Sequence, residues 1–397
     1  MLNDAAISPR AAACAARLRA RSPLARSYFA REGARIALAA RALAERFTSG
    51  GRLCTFGREA YATDAAHVSV EFVHPVIVGK RALPAADLSG SSESGISARI
   101  RSGDIAIGFG PPEGDPAVRR ALRRARDAGA LTLALSGERD DADFAFASPS
   151  ADPHVHQELN ELLGHTLYES VHVFLERRTL GHDVGASAFL YPYLGVAMVD
   201  DDAALLSDVA ASIHAKSRDA ERLREQLAAN AAAIVAAADA IAERIAAGAT
   251  ILSLGNGGSA TDADDFAIDC VEPPHGWRPV RAFSLANEPA IVTAIGNDVG
   301  METIFLRQII AQARAGDIAF ALSTSGGSKN VVAALIEARR RGMLTVALLG
   351  YDGGEIVRRG LADHTIVVRC DDIPRIQEAQ AAIVHEIRRV LAQADGA

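Results

Sequence analysis

The sequence contains little cysteine and no excess of basic charge, and each shortage excludes a class of protein. Its four cysteines among 397 residues include no CxxC pair, which argues against both a disulfide framework and a thiolate zinc site. The 42 basic residues are outnumbered by 49 acidic residues, and the net charge is −7. Because a protein that binds a phosphate backbone needs clustered basic charge, we expect no nucleic-acid partner.

Long apolar runs are also missing from the sequence. No stretch reaches the ~18 consecutive apolar residues expected of a membrane span. The start of the chain scatters arginine among alanine and shows no apolar leader core. We therefore expect no membrane partner and a cytoplasmic location.

The length and the hydrophobic content predict two domains. A chain of 397 residues that is 49% hydrophobic can fill two sizeable cores. In the second half, apolar runs at 250–254 and 317–322 are each followed by a loop rich in glycine and hydroxyl side chains, and then by a helical pattern. Two further apolar runs lie at 344–349 and 364–368. Strands that alternate with helices predict a parallel sheet with ligands at the carboxyl ends of its strands.

The two loops have the chemistry of an anion site. GNGGS at 255–259 and STSGGS at 323–328 offer hydroxyls and backbone N–H groups at helix N-termini, which favour a phosphate monoester. Neither loop has the spacing of a nucleotide-binding motif. The alternative interpretation is that serine, threonine and glycine simply form turns and helix caps.

Five motifs in order resemble the phosphoheptose isomerase family. They are GNGGSATDADDFA (255–267), AIGNDVG (294–300), ALSTSGGS (321–328), DGG (352–354) and RIQE (375–378). The family interconverts sedoheptulose 7-phosphate and D-glycero-D-manno-heptose 7-phosphate. The resemblance implies a sugar-isomerase (SIS) fold and a tetramer with active sites at subunit interfaces. It also implies these substrate-binding positions: Asn256, Ser259, Ser323, Thr324, Ser325 and Ser328.

The resemblance also implies a zinc site, with one departure from the family pattern. The family has a His and a Glu four residues apart after the GNGGS loop, and a Gln and a His eight apart on the last helix. Here Gln377 and His385 match the last pair, whereas Asp265 and Asp269 replace the first pair. Aspartate can ligate zinc, so these four residues form one candidate site in the second half.

The first half is an internal repeat that carries the whole family quartet. The shared ATDA segments align Thr63 with Thr261. This register places His67 and Glu71 over the two aspartates. A second register, between the final helices, places Gln157 over Gln377 and His165 over His385. Positions i and i+4 put His67 and Glu71 on one helix face, and the four side chains form a nitrogen and oxygen set suited to Zn²⁺. An exposed helix salt bridge is the alternative interpretation.

The first half lacks the anion loops of the second. GREAY at 57–61 stands in place of GNGGS, and GPPEGD at 110–115 stands in place of STSGGS. The prolines remove N–H donors and the carboxylates repel phosphate. We therefore expect that this half does not bind a sugar phosphate alone.

The predicted fold is α/β, with two tandem SIS domains that each hold a parallel sheet flanked by helices in a doubly wound, three-layer α/β/α arrangement. A degenerate N-terminal SIS domain spans 1–176, a connector 177–216, and the C-terminal phosphoheptose-isomerase-like domain 217–397. Two repeats per chain predict a homodimer that reproduces a four-domain assembly.

Three functions remain open at this point. The preferred hypothesis is an aldose–ketose isomerase of a heptose phosphate, in which the second half holds the phosphate and the first half supplies zinc, Glu71 as the base and His165 as the group that handles the hydroxyl proton. The second hypothesis keeps catalysis within the second half. The third is a non-catalytic SIS protein that binds a sugar phosphate or a protein.

Overall fold

The computed structural model describes residues 8–75, 80–136, 142–180 and 202–394. The chain divides into two compact units. The first unit is Ser22–Asp219, and the second unit joins Met1–Arg21 to Ala220–Ala397. Much of the predicted connector, at 181–201, lies outside the described residues.

The first unit contains a five-stranded parallel sheet with the order β2-β1-β3-β4-β5. The strands β1, β3 and β4 are fully buried, as expected for a parallel sheet that is covered on both faces. The elements are α1 (Pro9–Thr48), β1 (Leu53–Phe56), α2 (Tyr61–Val73), β2 (Ala85–Asp87), α3 (Glu93–Arg99), β3 (Ile105–Phe109), α4 (Pro116–Asp127), β4 (Leu131–Leu135), β5 (Phe144–Ala145), α5 (Pro153–Leu180) and α6 (Asp202–Ala229).

The second unit repeats this topology, because its parallel sheet has the order β7-β6-β8-β9-β10. The tandem α/β architecture predicted from the sequence is therefore confirmed. The elements are α7 (Ala231–Ala246), β6 (Ile251–Leu254), α8 (Gly258–Val271), β7 (Ala282–Ser284), α9 (Pro289–Asp298), α10 (Ile304–Gln312), β8 (Ile318–Ser323), α11 (Lys329–Arg340), β9 (Leu344–Gly350), α12 (Gly354–Arg358), β10 (His364–Val368) and α13 (Ile373–Ala394), with a 3₁₀ turn at Met301–Thr303.

The second sheet is covered on both faces, which gives three layers. Phe320 and Val346 point into a core shared with α7, α8 and α13. Ala319 and Ala347, the preceding and following neighbours of those residues, point into a second core with α10, α11 and α12. The alternation follows from the two-residue period of a strand.

The first turns of α1 belong to the second unit by their contacts, whereas the predicted boundary 1–176 places them with the first sheet. The cause is packing, because Cys14 and Leu18 lie in the core of the second sheet. An ion pair accompanies this contact. The buried Glu386 carboxylate accepts hydrogen bonds from Arg17 (2.9 Å) and Arg21 (2.8 Å).

Two helices precede the first strand of the second sheet. The alanine-rich segment at 217–247 lies in α6 and α7, with Asn230 between them. Asparagine is a poor residue for a helix interior and is common at helix ends, because its side chain bonds nearby backbone groups. Its Nδ2 donates to the carbonyl oxygen of Gln226. In the part of the chain that the structure describes, no helix has the length and apolar character needed to cross a membrane.

Candidate functional site

The two predicted anion loops lie side by side at the carboxyl edge of the second sheet. The GNGGS loop follows β6 and the STSGGS loop follows β8, and these two strands are neighbours. The next strand after β6, β7, lies on its other side. The chain therefore reverses its direction of travel across the sheet between β6 and β8, and such a switch point is where open α/β sheets bind ligands.

Glycine is required where these loops turn tightly. A Cβ atom on Gly255 would lie 2.2 Å from the carbonyl oxygen of Ser259. Gly326 has a φ of 60°, and a Cβ atom there would lie 2.2 Å from the carbonyl oxygen of Gly353. Larger residues would push these turns apart, so the glycines keep the loop backbone close to the helix starts.

The helices that follow the loops begin without a side-chain cap from their N-cap residues. Gly257, which has no side chain, precedes α8. Ser328 precedes α11, and its side chain does not cap that helix. Asn256 and Asn330 join the two loops through a reciprocal pair of amide hydrogen bonds of 2.9 and 2.8 Å. In α11 the N–H of Val331 donates to Asn330 Oδ1 (2.9 Å). The N–H groups at a helix start that no side chain binds, supported by the helix dipole, are suited to an external anion.

The predicted hydroxyl residues surround these helix starts. Ser323 Oγ accepts a hydrogen bond from the Gly326 N–H (3.1 Å) and lies 3.5 Å from Ser328 Oγ. Ser325 Oγ accepts from the Gly327 N–H (3.2 Å). Ser323 and Ser259 are buried, Thr324 and Ser328 are half-buried, and Asn256 and Ser325 are exposed. The site thus offers both exposed and recessed polar groups to a ligand.

A group of metal-ligand type lies further along α8, opposite α13. One ligand atom from each of Asp265, Asp269 and His385 lies within 4.8 Å of the others. His385 Nε2 is 3.5 Å from the Asp265 carboxylate. Gln377, eight residues before His385, is 2% exposed. Its Oε1 finds no hydrogen-bond partner among the described residues.

This second-unit donor group (Asp265, Asp269, Gln377 and His385) fits a zinc ion by its chemistry. Two carboxylates, an imidazole and an amide oxygen are nitrogen and oxygen ligands of the kind that Zn²⁺ accepts. A buried amide oxygen that lacks a donor requires a physical explanation. A cation held by the four side chains would provide one.

A comparable group lies between α2 and α5 of the first unit. The structure brings together His67 and His165, whose Nε2 atoms are 3.2 Å apart. A carboxylate oxygen of Glu161 lies within 4.8 Å of a ring nitrogen of each histidine, which makes a group of three possible metal ligands. Glu71 is not part of this group of three. Glu71 and Gln157 are nevertheless buried. Within the described chain, Glu71 Oε2 lacks a hydrogen-bond partner.

The sequence reasoning missed Glu161. In the alignment that relates Gln157 to Gln377, Glu161 falls on Ala381, so the repeat gave no cue. The available signal was its position four residues before His165, which puts both side chains on one face of α5. We refer to His67, Glu71, Gln157, Glu161 and His165 as the first-unit donor group.

The anion position of the first unit is filled by the protein itself. Asp115 is the N-cap of α4, and its carboxylate accepts hydrogen bonds from the N–H groups of Ala117 (2.7 Å) and Val118 (3.0 Å). Arg58 lies 3.6 Å from the same carboxylate. A charged cap of this kind satisfies the donors that an external phosphate would need.

A cavity of about 350 Å³ lies beside this capped helix start. Its charged lining residues are Arg58, Glu93 and Arg120. Arg120 forms an ion pair with Glu93, as Arg58 does with Asp115. The hydrogen bond from Arg120 lowers the pKa of the Glu93 carboxyl. The cations in this cavity are therefore already balanced by carboxylates of the same unit.

The buried polar residues around the first-unit donor group include further histidines. Burial lowers the pKa of His156 to about 4, although a 2.8 Å hydrogen bond between its Nε2 and the Gly110 carbonyl oxygen acts in the opposite direction. Burial, and then the charge of Lys80, lowers the pKa of His172 to about 4. Both rings are therefore neutral near pH 7.

Comparisons with known proteins cover the second unit in sequence and nearly the whole chain in fold. A family profile described as the SIS domain matches residues 217–350. The phosphoheptose isomerase of Geotalea daltonii is 40% identical over 182 residues, which are 46% of this chain and 92% of the relative. That of Geobacter sulfurreducens is 41% identical over 182 residues, with 46% and 94% covered.

Solved structures extend the likeness in fold to nearly the whole chain. The C-terminal domain of glucosamine-fructose-6-phosphate aminotransferase from Francisella tularensis aligns with a TM-score of 0.60 at 10% identity, over 93% of this chain and 95% of that one. At this identity the match concerns the fold alone. The identities of 40% and 41% over nearly full-length relatives are decisive for the family: this chain belongs to the phosphoheptose isomerase family of SIS-domain proteins.

Proposed function

We propose that the protein is a sugar-phosphate isomerase and that its substrate pair is sedoheptulose 7-phosphate and D-glycero-D-manno-heptose 7-phosphate. The relatives named above support the reaction class, since they are phosphoheptose isomerases. The six loop residues that the sequence predicts for substrate binding would hold the phosphate on C7.

One observation carries the proposal. Helix α8 starts at the GNGGS loop and also carries Asp265 and Asp269, which meet His385. A rise of about 1.5 Å per residue puts Asp265 roughly 9 Å along the helix from Ser259. In a heptose 7-phosphate the reacting carbons C1 and C2 lie at the opposite end of the chain from the phosphate. The arrangement therefore suits both ends of the substrate.

The proposed chemistry is a proton transfer through an enediol. From the ketose, the Asp269 carboxylate removes a proton from C1, and the electron pair forms the C1–C2 double bond as O2 gains a proton. Return of a proton to C2, with loss of the O1 proton, then gives the aldose. His385 would exchange the oxygen-bound protons. A zinc ion in the donor group would polarise the two substrate oxygens.

The first-unit donor group remains the rival for the proton transfers. The assignment of Glu71 as base and His165 as hydroxyl partner stays a prediction, as does zinc binding by His67, Glu71, Gln157 and His165. The buried Glu71 oxygen without a partner supports a ligand there. The second unit is preferred because one unit supplies both the anion loops and a donor group.

The test is conversion of sedoheptulose 7-phosphate, followed by nuclear magnetic resonance of the aldose product. We expect Asp269→Asn and His385→Gln to lose at least 100-fold in kcat, as is typical for removal of a general acid or base. The matched pair in the first unit is Glu71→Gln and His165→Gln. Loss of turnover in that pair alone would transfer catalysis to the first unit.

The replacement of histidine and glutamate by Asp265 and Asp269 favours one further candidate, a binding protein without turnover. Aspartate has the shorter side chain and reaches less far toward a substrate. Calorimetry separates the two functions. Binding of sedoheptulose 7-phosphate by a zinc-loaded protein that produces no aldose would establish the binding role and contradict the isomerase.

The proposal includes a homodimer of two-unit chains in the cytoplasm. Three exposed apolar side chains on the segments before and after α9 support an interface on the second unit: Phe283, Val299 and Met301, which are 55%, 53% and 57% exposed. Exposed large apolar side chains are typical of contact sites when they form a patch. Light scattering at micromolar concentration would measure the mass, and a mass of one chain would contradict this part of the proposal.

A further inference from the structure

Arg388 is a fully buried cation in the second unit. Its side chain has 0% exposure on α13. Within the described residues it forms no ion pair, and its Nη1 finds no hydrogen-bond partner. A buried guanidinium that lacks a direct counterion is costly to keep in a protein interior. Its position therefore needs a charge nearby to balance it.

A hydrogen bond ties the guanidinium to the backbone of the second-unit donor group. Arg388 Nε donates a 2.8 Å hydrogen bond to the carbonyl oxygen of Asp269, and Nη2 donates a 3.0 Å bond to that of Arg278. Arg388 also follows His385 by three residues on α13, so the two side chains lie on the same face of the helix. The guanidinium is thus fixed to the backbone of one donor and lies next to another along the helix.

The internal repeat gives a matched comparison. In the alignment that relates His165 to His385, Arg388 falls on Tyr168 of α5. Tyr168 is also fully buried, and its ring contacts Phe72 and His172. The first unit, which has His67, thus carries a neutral ring at this position. The second unit, which has Asp265 in place of that histidine, carries a cation.

We propose that Arg388 is a positioning residue and a fixed countercharge for Asp265 and Asp269. It anchors the backbone of Asp269 and balances the charge of two carboxylates that lie close together. The inference rests on the proposed function of the second-unit donor group. It adds a residue that acts on that group without touching the substrate.

A countercharge and a purely structural residue predict opposite effects on zinc affinity. A positive charge near the carboxylates repels a divalent cation, so its removal favours zinc binding. We expect Arg388→Met and Arg388→Gln to bind Zn²⁺ about tenfold more tightly or better. Loss of a structural support would instead weaken zinc binding. The charge-conserving Arg388→Lys should stay close to the parent affinity.

The measurement is zinc titration calorimetry of the full chain in a His67→Ala/His165→Ala background, which leaves the second-unit group as the site to be measured. Arg389→Met is the matched control. Arg388 and Arg389 both lie over the Trp277 ring, at 5.5 and 5.8 Å. Arg388 Nε donates to the Asp269 carbonyl oxygen, and Arg389 Nε lies 3.9 Å from the Glu386 carboxylate. Emission of Trp277, the only tryptophan of the chain, gives an independent readout near the guanidinium. Circular dichroism confirms that each variant is folded.

The outcomes separate this inference from the proposed function. Tighter zinc binding in Arg388→Gln, with Arg389→Met and Arg388→Lys unchanged, is the expected result. Unchanged or weaker binding in a folded Arg388→Gln protein would overturn the countercharge while leaving the metal site in place. No zinc binding in the background protein, nor in Arg389→Met, would overturn both the metal site and the inference.

Discussion

The loops that follow the third strand of each unit occupy the same place in the fold and have opposite chemistry. In the second unit, α11 starts at Ser328, whose side chain leaves the helix uncapped. In the first unit, α4 starts at Asp115, whose carboxylate accepts two backbone hydrogen bonds. The alignment that relates β3 to β8 places Asp115 on Ser328. At the same helix start, the first unit thus places its own carboxylate where the second unit leaves an anion position open.

The comparison teaches how an SIS-type unit can lose an anion site and keep its fold. Both sheets have the same strand order, so the change does not disturb the topology. The internal carboxylate stabilises α4 in the way that a bound phosphate would. The donor groups differ in the opposite direction. The first unit, which lacks the open anion position, has two imidazoles, whereas the second unit has one.

Removal of the imidazoles should have the largest effect. We expect His67→Ala/His165→Ala to lose the zinc of the first unit, because only carboxylate and amide ligands remain there. Asp265→Ala/His385→Ala should lose the zinc of the second unit. Plasma mass spectrometry of the purified chain measures metal per chain. The two-imidazole group should hold its zinc more tightly during dialysis against a chelator.

The control for this experiment is His74→Ala, which removes a histidine just after α2, outside both donor groups. Its metal content should equal that of the parent. If all the zinc survives in the His67→Ala/His165→Ala protein, the first unit holds no metal and the second-unit group is the single site.

The second prediction transfers the first-unit cap into the second unit. In Ser328→Asp a carboxylate enters the open helix start, where it caps α11 and repels a phosphate. A like charge at about 4 Å in a medium of effective dielectric 20 opposes binding by about 4 kcal/mol. We expect a loss in affinity for sedoheptulose 7-phosphate on the order of 1000-fold, measured by calorimetry.

The control variant is Ser328→Asn, which can cap the helix without a negative charge. It should retain most of the affinity that Ser328→Asp loses. Equal losses in the two variants would show that the hydroxyl or the space, and not charge, governs binding at this loop.

The fold was predictable where strands are fully buried and where glycine-rich loops mark the starts of helices. The apolar runs at 317–322 and 344–349 correspond to β8 and β9 to within one residue, because full burial leaves a continuous apolar signal. The edge strands β2, β5 and β7 were not predicted. They have three, two and three residues, too few to show a period.

The candidate site was predictable only where the chain repeats itself or resembles the family. The loop residues and the aspartates were found in that way. Glu161 was not predicted, because the residue aligned with it in the repeat is alanine. Arg388 was not predicted either, because a single arginine on a helix is expected to be exposed, and only tertiary packing shows that it is buried.

The third prediction concerns the acid sensitivity of the first unit. His172 is neutral when folded, with a pKa lowered to about 4 by burial and by the Lys80 charge. The unfolded histidine, with a pKa of about 6.5, takes up a proton first as the pH falls. Stability is therefore fully present above about pH 6.5 and is lost between about pH 6.5 and 4. The loss from this residue reaches about 3 kcal/mol.

His172→Phe keeps a ring beside Tyr168 and cannot titrate, so the stability of the first unit should fall less steeply over this pH window. Hydrogen exchange of the α5 amides at pH 7, 5.5 and 4.5 measures the difference. The control is the exposed His275 of the second unit, where His275→Phe should leave the pH dependence unchanged. An unchanged slope in His172→Phe would show that His172 is not the residue responsible.

The smallest effect is expected at the start of α4 in the first unit. Asp115→Ala removes both hydrogen bonds to the first turn of α4 and should cost about 1 kcal/mol. Asp115→Ser copies the residue of the second unit and should cost less, because serine can also cap a helix. Exchange of the α4 amides measures both losses.

Neither substitution at Asp115 should create a phosphate site, because the loop that leads to α4 contains Pro111 and Pro112 in place of hydroxyl residues and N–H donors. Titration with inorganic phosphate tests this expectation in the Asp115→Ser protein, with Ser328→Asp in the same chain to silence the second unit. Binding of phosphate there would mean that the carboxylate alone closed the first site. Its absence would mean that the whole loop had changed, and that the first unit lost its anion site in more than one step.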